Sequence, residues 1–166
     1  MKSQDILVML KLSANPEDRW SYASLSESLG MSQSEIHAAV KRCERSGLYN
    51  AFSKRENRIA LREFLVHGLR YVFPAELGAV RQGIPTSSGA EPLRSKIQDL
   101  SEIPVMPMEH GPVRGPSIEP LYRCAPQAAL KDPKLHRLLA IVDALRSGQG
   151  RERKLACEAL NMELVD

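Results

Sequence analysis

Residues 24–48 read SLSESLGMSQSEIHAAVKRCERSGL, and the fold turns on them. Two short amphipathic segments meet at Gly30-Met31-Ser32. In the second, Ser32-x-x-Glu35 has the form of a capping box, in which hydroxyl and carboxylate each satisfy a free backbone N–H at the helix start. At about 100° per residue, Ile36, Val40, Cys43 and Gly47 fall in one narrow arc flanked by Ala39, which marks a buried face. The opposite arc holds Ser34, Ala38, Lys41 and Arg45, with His37 and Arg42 at its edges and Ser32 and Gln33 at its start. Its side chains are short toward the N-terminus, long and cationic toward the C-terminus. That gradient suits a helix directed into a major groove, where short side chains admit the backbone to base edges while Lys and Arg reach phosphates.

The preceding segment completes the unit. Ser21 is placed to cap a helix over Tyr22–Leu29, with Leu25 and Leu29 as core positions and the small Ser26 where a second helix must cross closely. Gly30 supplies a left-handed residue at the helix end, and Met31 tucks under the turn. This order of cap, small residue, Gly and apolar positions is that of a helix-turn-helix. The alternative is a three-helix core whose basic side is merely solvated.

On these residues, closed by Ser46-Gly47-Leu48, the span 4–72 resembles the winged helix-turn-helix domain of MarR-type bacterial transcription regulators. The resemblance implies a β-wing over YNAFSKRENRIAL (49–61), with Lys54, Arg55 and Arg58 at a basic tip that reaches DNA. No Asp precedes the Arg here, no Gly makes the turn, and Arg58 onward reads as helix, so the wing is expected as a shortened basic loop. The rest of the chain does not match that family's dimerisation helices. It resembles bacterial proteins of uncharacterised role carrying FPA…G…RG.PT and DP.LH.LLA.VDALR.G..RER, which adds no mechanism.

Outward from this unit, the chain divides into three expected spans. In 1–72, a first helix is expected over about 4–13, capped by Ser3, with Ile6, Met9 and Leu10 on one face and Asn15-Pro16 as its stop. A further helix is expected over about 58–72, striped by Leu61, Phe64, Leu65, Gly68, Leu69 and Val72. The span 73–126 is rich in Pro and Gly and carries an internal repeat. VFPAELGAVRQG (72–83) matches VMPMEHGPVRGP (105–116) at Val, Pro, Glu, Gly, Val and Arg, and each copy is followed by EPL. Val-x-Pro, Glu-x-Gly and Val-Arg suit a tight β-hairpin, and two such hairpins could share one small sheet. In 127–166, Asp132-Pro133 starts a helix striped by Leu135, Leu138, Leu139, Val142 and Leu145. Gly148 and Gly150 break it, and a last helix follows over about 151–162. The fold class expected is mainly α with small β (α+β).

With 43 % hydrophobic and 26 % charged residues, the 166-residue chain has the composition of a globular protein. The net charge of +3 is mild, but between Lys41 and Arg62 seven basic residues face only Glu44 and Glu56. Cys43, Cys124 and Cys157 are far apart and unpaired in spacing, which fits reduced thiols in a cytoplasmic protein. The run Ile6–Leu10 is too short for a signal peptide, and no stretch approaches a membrane span. His37, His67, His110 and His136 are scattered, with no partner at metal-ligand spacing and no nucleophile or phosphate-loop motif, so no cofactor, metal or enzymatic activity is expected. Glu76/Glu109 with Arg81/Arg114 could form a paired site, though each Glu more simply shapes its own turn.

The expectation is therefore a sequence-specific DNA-binding transcriptional regulator, a homodimeric repressor on double-stranded DNA. A dimer multiplies the few base pairs that one winged helix reads, and the Leu135–Leu145 stripe or the last helix could supply the contact. The alternatives are a protein-interaction adaptor or antitoxin-like subunit that autoregulates its operon, and an RNA-binding winged helix.

Overall fold

The computed structural model describes residues 1–164. The chain is mixed α+β, mostly helical with a small sheet. It opens with α1 (Ser3–Ala14), α2 (Tyr22–Leu29) and α3 (Gln33–Arg45). A short antiparallel hairpin follows, β1 (Tyr49–Asn50) and β2 (Arg55–Glu56), and then α4 (Arg58–His67) and α5 (Leu69–Val72). The middle of the chain holds β3 (Leu77–Pro85), β4 (Val105–Pro107) and β5 (Val113–Ile118), and α6 (Ala125–Lys131), α7 (Pro133–Ser147) and α8 (Arg151–Leu164) complete it.

The local signals around the opening stretch are realised atom by atom. Ser21 Oγ accepts from the Ser24 N–H, and Ser32 Oγ accepts from the Glu35 N–H while the Glu35 carboxylate takes the Ser32 N–H. Gly30 sits at φ +68°, in the left-handed region that lets α2 end and the chain turn into α3. Asp132 caps α7 by accepting from the Lys134 and Leu135 N–H groups, with Pro133 in the first turn. The first helix differs slightly, since Lys2 rather than Ser3 is its cap and Asp5 takes the Lys2 N–H. The helix expected over 58–72 breaks at Gly68 into α4 and α5.

One hydrophobic cluster runs through all three expected spans, drawing on Ile6, Ile36, Leu61, Ile84, Met106 and Leu139 among others. Most of α1 lies inside it. Ile6, Leu7, Val8, Met9 and Leu10 are all fully buried because α3 covers one side and α7 another. α7 in turn touches α1, α4, α5, α6 and α8. Its stripe of Leu135, Leu138, Leu139, Val142 and Leu145 is buried within the chain, so of the two candidates for a dimer contact the stripe is already covered. Burying five such side chains is worth roughly 2 kcal/mol each, so they pack at home rather than wait for a partner.

The repeated elements do not form two hairpins. Val72 ends a helix, and the first copy contributes only β3. β3 pairs antiparallel with both β4 and β5, so the two strands of the second copy run parallel and meet at Val105↔Ser117. The three strands close on one another, with Gly83 opposite both Pro107 and Val113. A Cβ at Gly83 would collide with the Met106 carbonyl, so the close crossing requires glycine there. Glu76 and Glu109 pair with neither Arg81 nor Arg114, and Glu109 instead lies beside His110 at the surface.

Two polar clusters lock the sheet and α1 to α7. Asp143, wholly buried, accepts from Thr86 Oγ1 (2.7 Å) and from Arg146 Nη1 (2.9 Å). Burial pushes its carboxyl up from the usual range, against the pull of Arg146 and Thr86. Arg146 also donates to the Phe73 and Glu119 carbonyls, bracketing the sheet segment at both ends. At the other cluster, Asp132 accepts from Lys11 Nζ (2.5 Å) and Asn15 Nδ2 (2.7 Å), joining the end of α1 to the start of α7. Burial alone would raise the Asp132 carboxyl, but Lys11, the Leu135 N–H and Asn15 together hold it below its ordinary value of 3.8. A depressed carboxylate stabilises the fold above its unfolded value, and that stabilisation is lost as pH falls through the folded value. Asp132→Asn, which keeps a cap acceptor, is expected to be less stable than wild type at neutral pH. In urea titrations the gap should close as pH drops below 3.8.

Candidate nucleic-acid interface

α3 carries its polar strip outward. Ile36, Ala39, Val40 and Cys43 are buried against the core, whereas Ser34, Lys41 and Arg45 are exposed and Ala38 is half-buried. Gly47 is exposed and, at φ +77°, turns the chain out of α3 toward β1. Burial pushes the Cys43 thiol up to about 12, so it is a core thiol and not a reactive one. Lys41 Nζ lies 3.0 Å from Glu44, an exposed pair that contributes little and exchanges readily for another anion. Arg45 makes no side-chain hydrogen bond or ion pair among the described residues. Ser32 and Gln33 are exposed at the α3 start, and Ser32 Oγ lies 3.1 Å from Ser34 Oγ.

The edges of the strip are engaged on both sides. Arg42 turns inward and grips Asp5 of α1 through Nε (2.8 Å) and Nη2 (2.7 Å). Asp5 is wholly buried, and its bond to Arg42 raises the guanidinium's affinity for its proton. Arg42, expected among the DNA-facing residues, therefore anchors α3 to α1. Arg42→Ala should cost about 3 kcal/mol of stability by leaving a buried carboxylate without its cation. That is the low end for such a pair, because the Arg42 side chain keeps 27 % exposure. Denaturant titration checks this.

On the same flank Glu35 accepts from the Tyr122 hydroxyl (2.8 Å), with Arg123 3.4 Å away. The Ser32 N–H, then Tyr122 and the Ser32 hydroxyl, hold the Glu35 carboxyl below its usual value, and the same bond raises the Tyr122 phenol. The segment ahead of α6 thus clasps the start of α3 and places the exposed Arg123 beside it. Nothing local in residues 24–48 announced this partner.

The other flank leads to the hairpin through aromatic side chains. His37, exposed on α3, lies 5.3 Å from the Tyr22 ring, Tyr22 lies 5.5 Å from Trp20, and Trp20 lies 6.1 Å from Tyr49 at the foot of β1. Trp20 Nε1 also donates to the Lys54 carbonyl (3.2 Å). A cleft of about 690 Å³ opens between the end of α1, α2 and residues 53–56.

Where a shortened basic loop was expected, the chain forms a short hairpin, with Tyr49↔Glu56 and Asn50↔Arg55 paired among the described residues. Lys54 takes the left-handed conformation, at φ +56°, that a Gly would otherwise supply. Lys54 and Arg55 are exposed at the tip. Arg58 is not. It stands in the first turn of α4, with Nε 3.0 Å from Glu56 and Nη2 3.4 Å from the Ser13 carbonyl, and so belongs to the packing of hairpin on α1. Of the eleven residues singled out from the sequence, Arg42 and Arg58 are committed to the fold. Ser32, Gln33, Ser34, His37, Lys41, Arg45, Lys54 and Arg55 stand exposed, and Ala38 is half-exposed.

Among the described residues no group of three His, Cys, Asp or Glu converges as a metal site, and no helix is long and apolar enough to cross a membrane. No protein-family model, curated protein or solved structure matches the chain.

Proposed function

We propose that the chain is a sequence-specific, double-stranded-DNA-binding transcriptional regulator built on a winged helix-turn-helix, working in the cytoplasm as a homodimeric repressor and not as an enzyme. In this reading α2 and α3 are the helix-turn-helix, β1–β2 is a reduced wing, and α3 enters the major groove. The observation that carries it is the outward strip of α3. Ser34, Lys41 and Arg45 lie clear of the core although α1, α2 and the Tyr122–Arg123 segment pack against the same helix. Fluorescence-anisotropy titration of fragments of the source genome at several salt concentrations tests it. One tight upstream site with a steep salt slope is expected, since several phosphates are neutralised together. Uniform weak binding to every fragment would defeat it.

In this reading, with the α7 stripe buried, the homodimer uses the last helix, whose outward side together with that of α4 exposes Met162 and Ile59. A second reading, an adaptor or antitoxin-like subunit, draws support from Tyr71, Val72, Leu77 and Val80, apolar side chains exposed around the entry to β3. A pull-down with the full chain that returns only the chain itself counts against that reading.

A further inference from the structure

The tip of the β1–β2 hairpin holds Phe52, a residue 99 % exposed. Single exposed apolar residues are common on protein surfaces and carry no meaning by themselves. Phe52 differs in its mount and its neighbours. The Asn50 side-chain oxygen accepts from the Phe52 N–H (2.9 Å) and the Ser53 N–H (3.1 Å), which ties down the backbone on both sides of the ring's attachment. Trp20 Nε1 fastens the loop again at the Lys54 carbonyl. The backbone that carries the ring is therefore braced, and the ring itself stands in solvent. Beside it stand the exposed cations Lys54 and Arg55. The His37–Tyr22–Trp20–Tyr49 contacts join this loop to the exposed edge of α3.

We infer that Phe52 is a wedge that enters a base step of duplex DNA from the minor groove, next to the segment that α3 reads. This rests on the DNA-binding reading above and adds how the hairpin contributes to it. The hairpin has two residues per strand, too few to lie along a groove, so what reaches inside is its tip side chain. Lys54 and Arg55 complement the phosphates on either side of a narrow minor groove, while the uncharged ring takes the apolar space between bases. Aromatic insertion unstacks a step and bends the helix, and pyrimidine–purine steps yield most easily. Phe52 thus selects deformable steps without hydrogen-bonding to a base.

The test uses duplexes selected by the full-length protein from a random pool, with 2-aminopurine placed at each step in turn. Wild type should bend the selected duplex and raise 2-aminopurine emission at one pyrimidine–purine step. Phe52→Ala should lose both signals and bind about 10-fold more weakly, with its salt slope unchanged because no cation is removed. Phe52→Trp should keep them. Phe52 has no packing role in the fold, so its variants report on binding and not on folding. If Phe52→Ala binds and bends as wild type does, the wedge is refuted while the DNA-binding reading stands. The wedge is equally refuted if the variant's only defect is lost self-association. If wild type selects no duplex at all, the DNA-binding reading itself fails, and the wedge with it.

Discussion

Lys41→Ala combined with Arg45→Ala is expected to lower affinity for the selected operator by at least about 100-fold. Each replaced cation removes a charge-assisted contact to phosphate or base, worth roughly 1.5–3 kcal/mol, and about 1.4 kcal/mol is tenfold in affinity. The salt slope should flatten by about 2 per protomer, since two fewer counterions are displaced. Stability should barely move. Both side chains point away from the buried residues Ile36, Ala39, Val40 and Cys43, and the Lys41–Glu44 pair that is lost is an exposed one. Arg42→Ala is the internal control, since it sits one position from Lys41 yet should behave as a folding variant. A double variant that binds operator as tightly as wild type would remove α3 from the interface.

Arg146→Met should lose more stability than either Arg42→Ala or Asp132→Asn. Arg146 and Asp143 keep 5 % and 1 % of their side-chain exposure, so neither can turn to water for relief. Methionine fills similar volume but leaves Asp143 without its cation and the Phe73 and Glu119 carbonyls without their donor. Breaking such a buried pair from one side costs about 3–5 kcal/mol, a large part of a typical 5–15 kcal/mol stability. For a chain of this size that lowers the melting temperature by roughly 8–15 °C in calorimetry. Replacing both partners together, Asp143→Leu with Arg146→Met, should restore part of the loss, because the apolar pair leaves no orphaned charge. Failure to recover would place the cost in the two carbonyls and Thr86 instead.

What was legible in the sequence was what short-range chemistry decides. Ser21, Ser32 and Asp132 announced helix starts through their own oxygens, and Gly30 announced an end through its backbone freedom. The outward strip of α3 followed from angular spacing alone. What stayed hidden depended on distant partners. A basic side chain does not say whether its anion will be a phosphate or Asp5, so Arg42 and Arg58 read as surface cations. Asp5 itself was the available clue, a carboxylate at the edge of the apolar run Ile6–Leu10 that needed a counter-charge. The repeat at 72–83 and 105–116 was visible, but likeness of sequence does not choose a strand's neighbours. The pairing adopted brings backbones together where only glycine fits, at Gly83, Gly111 and Gly115. Likewise an apolar stripe on α7 looks the same whether another molecule or α1 will cover it. Phe52 passed unnoticed because a loop aromatic has no periodicity to test, and its bracing appears only with Asn50 and Trp20 in place.

The sandwiching of α1 between α3 and α7 also bears on how the protein is made. Helix α1 leaves the ribosome more than a hundred residues ahead of α7, so one of its oily sides lacks its intended cover until α7 follows. The proposed reading head is then finished only once α7 has emerged. A product ended before α7 would carry the exposed strip of α3 yet lack the helix that covers the other side of α1.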